Sequence, residues 1–187
     1  PASPLQVSNL TSADHLGASV DVSGDFAIVG ANLHDALGTN SGAAWIFRWN
    51  GSNWVLQQKL NSTDAAAYDA FGYSVSIDGN VAVVVAIDKN TNGVLTGATY
   101  VFRYNGSSWI QEQRLPVGNS GTPSTGAASA SISGDTIVVG NSKDTTKGSY
   151  AGAAYVYRYH PERALGDRWV IEQLKRNGIM EPRITAQ

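Results

Sequence analysis

At 187 residues and 19.7 kDa the chain has the length of one domain and enough sequence to bury its own core. Its formal net charge is −2 with the basic residues dispersed, no apolar run approaches the roughly 18 residues of a membrane span, and cysteine is absent. These facts exclude a nucleic-acid face, membrane insertion by a helix, disulfides, thiol catalysis and cysteine-bound zinc. A charged fraction of 15%, beside 20 glycines and much Ser, Thr and Asn, fits an extracellular all-β protein, so a secreted or cell-surface location is expected. The chain begins at Pro1 and its single methionine is Met180, which fits a processed or excised form.

The first strand is expected at "SVDVS" (19–23), where apolar and small polar residues alternate. Ser23-Gly24-Asp25 then makes a tight turn, because glycine takes positive φ, and "FAIVGA" (26–31) follows as a strand buried on both faces. A loop of about ten residues leads to "AAWIFRWN" (43–50), with Trp45, Phe47 and Trp49 on one face and Ile46 and Arg48 on the other. Asn50-Gly51 signals a hairpin into "NWVLQQKL" (53–60).

The pattern then starts again. "LGASVDVSGDFAIVG" (16–30) recurs as "FGYSVSIDGNVAVVV" (71–85) and as "TGAASASISGDTIVVG" (125–140). "SGAAWIFRWNGSNWVLQQKL" (41–60) recurs as "TGATYVFRYNGSSWIQEQRL" (96–115) and as "AGAAYVYRY" (151–159) joined through the insertion "HPERALGD" (160–167) to "RWVIEQL" (168–174). Gly24, Gly79 and Gly134 stand 55 residues apart, and so do Gly42, Gly97 and Gly152. The chain is therefore a single repeat domain of three copies, about 5–59, 60–114 and 115–174, with a C-terminal tail at 175–187. No stretch calls for a long helix, and "WVIEQL" aligns with the strand "WVLQQKL".

A four-stranded unit at this spacing is the pattern of a propeller blade, which must stack on neighbours to bury its faces. "FGYSVSIDGN" and "GAAWIFRWNGSNW" resemble FG-GAP repeats, the blade units of the integrin α-chain head and of many bacterial secreted proteins. Phe71-Gly72 stands at the Phe-Gly of that family and Gly30-Ala31 near its Gly-Ala-Pro, while the other copies have Leu16-Gly17 and Thr125-Gly126 and the proline is missing from all three. The resemblance implies an all-β propeller of four-stranded antiparallel blades. It also implies a non-catalytic extracellular recognition or adhesion module that binds a protein or glycan through its loops. A multivalent lectin assembled from several chains is one alternative, and a fragment of a larger propeller enzyme or receptor is another.

Asp88-Lys89-Asn90-Thr91-Asn92-Gly93 opens like a calcium loop, which makes Asp88, Asn90 and Asn92 a weak calcium candidate. Calcium sites of integrin-like repeats lie in the first hairpin of the blade, and here those hairpins are only "DVSGD", "SIDGN" and "SISGD". The closing carboxylate of the later loop is also missing, since Thr96 and Thr99 hold its ninth and twelfth positions. No metal or other cofactor is expected.

His15, His34 and His160 have no partner at ligand spacing, and Asp14 and Asp69 are repeat-equivalent, which points to a structural role. Trp54, Trp109 and Trp169 share one repeat position and Trp45, Tyr100 and Tyr155 another, as core aromatics would. A ligand site is instead expected in the loops 31–41, 86–96 and 141–151, which vary where the strands agree. The candidate ligand-binding residues there are Asp35, Asn40, Asp88, Asn90, Asn92, Asp144 and Tyr150. No catalytic residue is assigned and the chain is not expected to be an enzyme. Closed propellers have four to eight blades. Three copies are therefore expected to pair with a second chain in a homodimer of six blades.

Overall fold

The computed structural model of the chain describes residues 4–91, 93–115, 128–145, 147–149 and 151–172. Blade 1 is an antiparallel meander of β1 (Ser19–Ser23), β2 (Phe26–Ala31), β3 (Ala43–Trp49) and β4 (Trp54–Leu60). Blade 2 begins with β5 (Phe71–Asp78) and β6 (Val81–Ala86), carries a small hairpin of β7 (Asn90–Thr91) and β8 (Val94–Leu95), and ends with β9 (Ala98–Tyr104) and β10 (Trp109–Leu115). Blade 3 is β11 (Ser129–Ser133), β12 (Thr136–Asn141), β13 (Ala153–Tyr159) and β14 (Trp169–Ile171). The described residues contain no helix, and the strand expected after the 160–167 insertion is β14.

The turns follow from their residue types. Gly24, Gly79 and Gly134 have φ of 54, 53 and 55°, each as the first residue of a two-residue turn, where a type II′ hairpin needs positive φ. The Asn-Gly pairs behave differently from the two-residue hairpin that such pairs usually signal. Trp49 pairs with Trp54 across four residues, and the Asn50 side chain accepts the N–H groups of Ser52 and Asn53 at 3.0 and 2.9 Å. Asn105 does the same for Ser107 and Ser108.

Apolar side chains form layers between the blades. Ile28, Ala44 and Ile46 of blade 1 meet Phe71, Val84 and Tyr100 of blade 2, and Val83 and Val101 on the other side of blade 2 meet Ile137 and Tyr157 of blade 3. The continuous apolar runs of β2 and β6 exist because both faces of these strands are covered. A third layer, with Val29, Trp45 and Phe47, lies on the free side of blade 1 and is packed by Leu5, Val7 and Leu10. Each fully buried aliphatic or aromatic side chain contributes about 1.5–3 kcal/mol.

Polar groups fix the register between blades. Ser19, Asp21 and Ser23 on β1 accept the backbone N–H groups of Val75, Ile77 and Gly79 at 2.9, 2.8 and 3.0 Å. Ser74, Ser76 and Asp78 on β5 accept those of Ala130, Ile132 and Gly134 at 3.3, 3.3 and 2.6 Å. Residue pairs in β4 and β10 grip the next blade in a second repeated device. Ladder irregularities fall at Gln57 and Glu112, which accept the indole N–H of Trp109 and Trp169, while Gln58 and Gln113 each bond both backbone groups of the same tryptophan.

Candidate functional site

The antiparallel order places the second-to-third-strand connections of all three blades, residues 32–42, 87–97 and 142–152, at one end of their sheets, opposite the Gly24 and Asn50 turns. All three connections start from one backbone plan. The N–H groups of Gly42, Gly97 and Gly152 donate to the carbonyls of His34, Lys89 and Asp144 at 2.9, 3.1 and 3.0 Å. The three glycines have positive φ, a conformation that favours a residue without a Cβ there.

Residues 34, 89 and 144 share one repeat position, and each is anchored by a different chemistry. In blade 1 the His34 Nδ1 lies 3.0 Å from Asp14 Oδ2, and Lys59 Nζ lies 3.0 Å from His34 Nε2. An ammonium only donates, so the ring proton sits on Nδ1 and points at Asp14. Asp14 also accepts the Thr11 N–H at 2.6 Å. Burial raises the pKa of Asp14, but the Thr11 and His34 hydrogen bonds outweigh it and the net shift is downward.

In blade 2 the buried Lys89 ammonium lies 2.8 Å from Asp69 Oδ2 and 3.6 Å from Asp64 Oδ2, and donates to the Asp64 carbonyl. Asp64 also accepts from the Tyr100 hydroxyl at 2.7 Å and from Arg114 at 3.2 Å. Its own burial pushes its pKa up, yet Tyr100, Lys89 and Arg114 together hold it below the usual value. Burial, then the Asp64 hydrogen bond and charge, push the Tyr100 hydroxyl well above an ordinary phenol. In blade 3 the buried Asp144 carboxylate accepts a hydrogen bond from the Tyr155 hydroxyl.

The loop tips above these anchors hold the predicted residues unevenly. Asp35 is exposed and its Oδ1 accepts the Asn40 N–H at 2.7 Å, which stabilises Asn40 at its φ of 50°. Asp88 and Asn90 are exposed. The Asn90 Oδ1 accepts the Gly93 N–H at 2.8 Å and closes the β7–β8 hairpin, so the calcium-like stretch is a turn. Asp144 belongs to the anchor and is buried. Asn92 and Tyr150 lie outside the described residues. Thus Asp35 and Asn40 share one tip, Asp88 and Asn90 another, and Asp144 faces inward.

Sequence reasoning passed over His34, Lys59, Asp64, Lys89 and Arg114 as partners. A signal was present, because His34, Lys89 and Asp144 form one repeat column that is ionisable in every copy. Among the described residues no group of three or more His, Cys, Asp or Glu is placed to hold a metal ion, and no helix is long and apolar enough to cross a membrane. At the opposite end a groove of about 290 Å³ runs between blades 2 and 3, lined by Asp78, Asn80, Arg103, Asp135, Tyr159 and Trp169. Its Arg103 guanidinium lies 4.5 Å from the Tyr159 ring centroid and pairs with Glu112 at 2.9 Å, so its charge is already used.

One family model, described as the FG-GAP repeat, matches residues 5–47, 54–102 and 126–157. The chain belongs to the FG-GAP repeat family. The first match runs from before β1 into β3 of blade 1, the second from β4 of blade 1 into β9 of blade 2, and the third from before β11 into β13 of blade 3. Its four-stranded antiparallel sheets have the form of propeller blades, FG-GAP repeats suggest a propeller module of the integrin-like type, and such repeats occur in extracellular and secreted proteins. No curated protein matches the chain in sequence. In this FG-GAP chain the Phe-Gly of blade 2 meets blade 1 directly: Phe71 forms a parallel bridge to Gly42, and its N–H donates to the Ser41 carbonyl at 3.0 Å.

Proposed function

We propose that the chain is a non-catalytic recognition module of a secreted or cell-surface protein, which binds a protein or glycan through the loops 32–42, 87–97 and 142–152. The observation that carries this reading is the division of labour within those loops. Their bases share the Gly42, Gly97 and Gly152 hydrogen bond and are held by buried or half-buried polar pairs, whereas their tips differ in every copy. A rigid base with a variable polar tip is how a scaffold presents contacts to a ligand. Asp35, Asn40, Asp88 and Asn90 supply hydrogen-bonding groups of the kind that sugar hydroxyls and peptide amides use.

The experiment is a glycan array, run beside a panel of immobilised extracellular proteins, with the chain and its Asp88→Ala and Asp35→Ala variants. Saturable binding by the parent chain, weakened at least several-fold in a variant that keeps its melting temperature, supports the reading. Binding that both variants leave untouched moves the site away from these loops, and no binding to either panel defeats the proposal.

A further inference from the structure

The contacts between consecutive blades recur at a fixed offset, and one step of each series is split between the two ends of the array. The inner-strand ladder joins residues 56 apart, as in Ser19 to Val75 and Ser74 to Ala130. Its next step starts at Ser129, Ser131 and Ser133, which are exposed. The N–H groups in the matching position at the other end belong to Val20, Val22 and Gly24 on blade 1, and in the single chain that of Val22 makes an exposed hydrogen bond to its neighbour Asp21, donating to Oδ1 at 2.8 Å.

The outer contacts split in the same way. The Arg48 guanidinium lies 6.0 Å from the Tyr104 ring centroid and the Arg103 guanidinium 4.5 Å from that of Tyr159. The third such pair is Arg158 on blade 3 and Trp49 on blade 1, both exposed. Gln57 and Glu112 accept the indoles of Trp109 and Trp169, and their counterpart Glu172 corresponds to Trp54.

Exposure decides what these ends are. Val20 and Val22 are 65% and 60% exposed, whereas Val75 and Ile77, at the same places in blade 2, are 6% and 3% exposed. Val138 on blade 3 is 40% exposed, against 0% for its equivalents Ile28 and Val83. Leu5, Val7 and Leu10 cover the β2–β3 part of the blade 1 face and leave the inner strand and the Trp49 corner bare, where the ladder and the arginine contact fall.

We propose that the two ends are the halves of one interface, and that blade 3 of one copy stacks on blade 1 of a second copy of this chain. Three serine hydroxyls meet three backbone N–H groups, Arg158 covers Trp49, and Val138 and Val156 pack against Val20 and Val22. The contact is head-to-tail, and a ring closes when each copy supplies both halves. Two copies give six blades, within the range of closed propellers. Closure also removes the open faces at both ends.

The test is the solution mass of the chain by light scattering, with Val22→Asp and Val138→Asp made separately. Both side chains are exposed in the single chain, so neither change removes a packed core contact, and circular dichroism verifies the fold. The parent is expected at about twice 19.7 kDa and each variant at one chain mass. An equimolar mixture of the two variants is expected to regain a two-chain species, because the intact face of each meets the intact face of the other. A monomeric parent overturns the proposal. So does a dimer that survives both substitutions, and a mass that climbs past two chains with concentration overturns the closed ring.

Discussion

A Cβ placed on Gly30 would lie 2.1 Å from the carbonyl oxygen of Gly72. The Phe-Gly of blade 2 and the Gly-Ala of blade 1 are thus two sides of one backbone contact, 42 residues apart in sequence. Gly72 is constrained twice over. Its φ is +90°, and a Cβ there would meet the Ala43 carbonyl oxygen at 2.3 Å. Gly51 shares the positive φ at +96° but has nothing within 4 Å of its missing Cβ. Gly72→Ala is therefore expected to cost about 3 kcal/mol or more, through clash as well as strain, and Gly51→Ala about 1 kcal/mol through strain alone. Urea unfolding of both variants decides it. Equal losses would show that the close approach carries no weight.

The repeat made much of the fold legible in advance. Gly24, Gly79 and Gly134 mark equivalent turns, and a strand such as "VAVVVA" is apolar on both faces only if both are covered. The charged anchors of the loops were much harder to read. Lys89 lies within a polar stretch that would suit solvent, yet its ammonium turns inward because Asp64 and Asp69, some twenty residues earlier, wait beneath it. Asp144 looked like a ligand contact for the same reason, and its direction is set by Tyr155 on the neighbouring strand β13. The direction of a loop side chain depends on partners that only the folded backbone brings close. The equivalence of Asp14 with Asp69 was a second clue in the sequence beside the column His34, Lys89 and Asp144, and both carboxylates do hold an anchor.

Lys89→Met tests the anchor of blade 2. Removing the ammonium leaves the Asp69 carboxylate buried beside an apolar side chain, and breaking a buried pair in this way costs about 3–5 kcal/mol. Adding Asp69→Asn removes the stranded charge, so the double variant is expected to recover part of the loss. A thermodynamic double-mutant cycle measures the coupling. Additive effects would mean that the two side chains act independently.

Acid sensitivity follows from Asp14. Its folded pKa lies below the ordinary 3.8, because the Thr11 and His34 hydrogen bonds overcome the burial that opposes ionisation. A carboxylate shifted down stabilises the fold above its unfolded pKa, and that contribution fades as pH falls through the folded value. Asp14→Asn should therefore destabilise the chain near neutral pH, with a penalty that shrinks below pH 3.8. Unfolding free energies of both proteins across that window test the sign. A penalty that holds constant down to full protonation would show that Asp14 acts through packing or neutral hydrogen bonds alone.

Calcium is expected to leave the melting temperature unchanged. A native-state ligand at free concentration L raises stability by RT ln(1 + L/Kd), so a calcium site would be visible at about 10 mM, above the ~10⁻⁴–10⁻³ M affinities of extracellular calcium modules. The ion needs six to eight oxygens. The Asn90 Oδ1 is already occupied by the Gly93 N–H at 2.8 Å, and the intervening Lys89 brings a positive charge to the carboxylates of Asp64 and Asp69. That ammonium and the Arg114 guanidinium, 3.2 Å from Asp64, together neutralise the charge that would attract the ion. Thermal melts with calcium and with a chelator should coincide for the parent chain and for Asp88→Ala. A calcium-dependent rise in the parent that Asp88→Ala abolishes would restore the loop as a metal site.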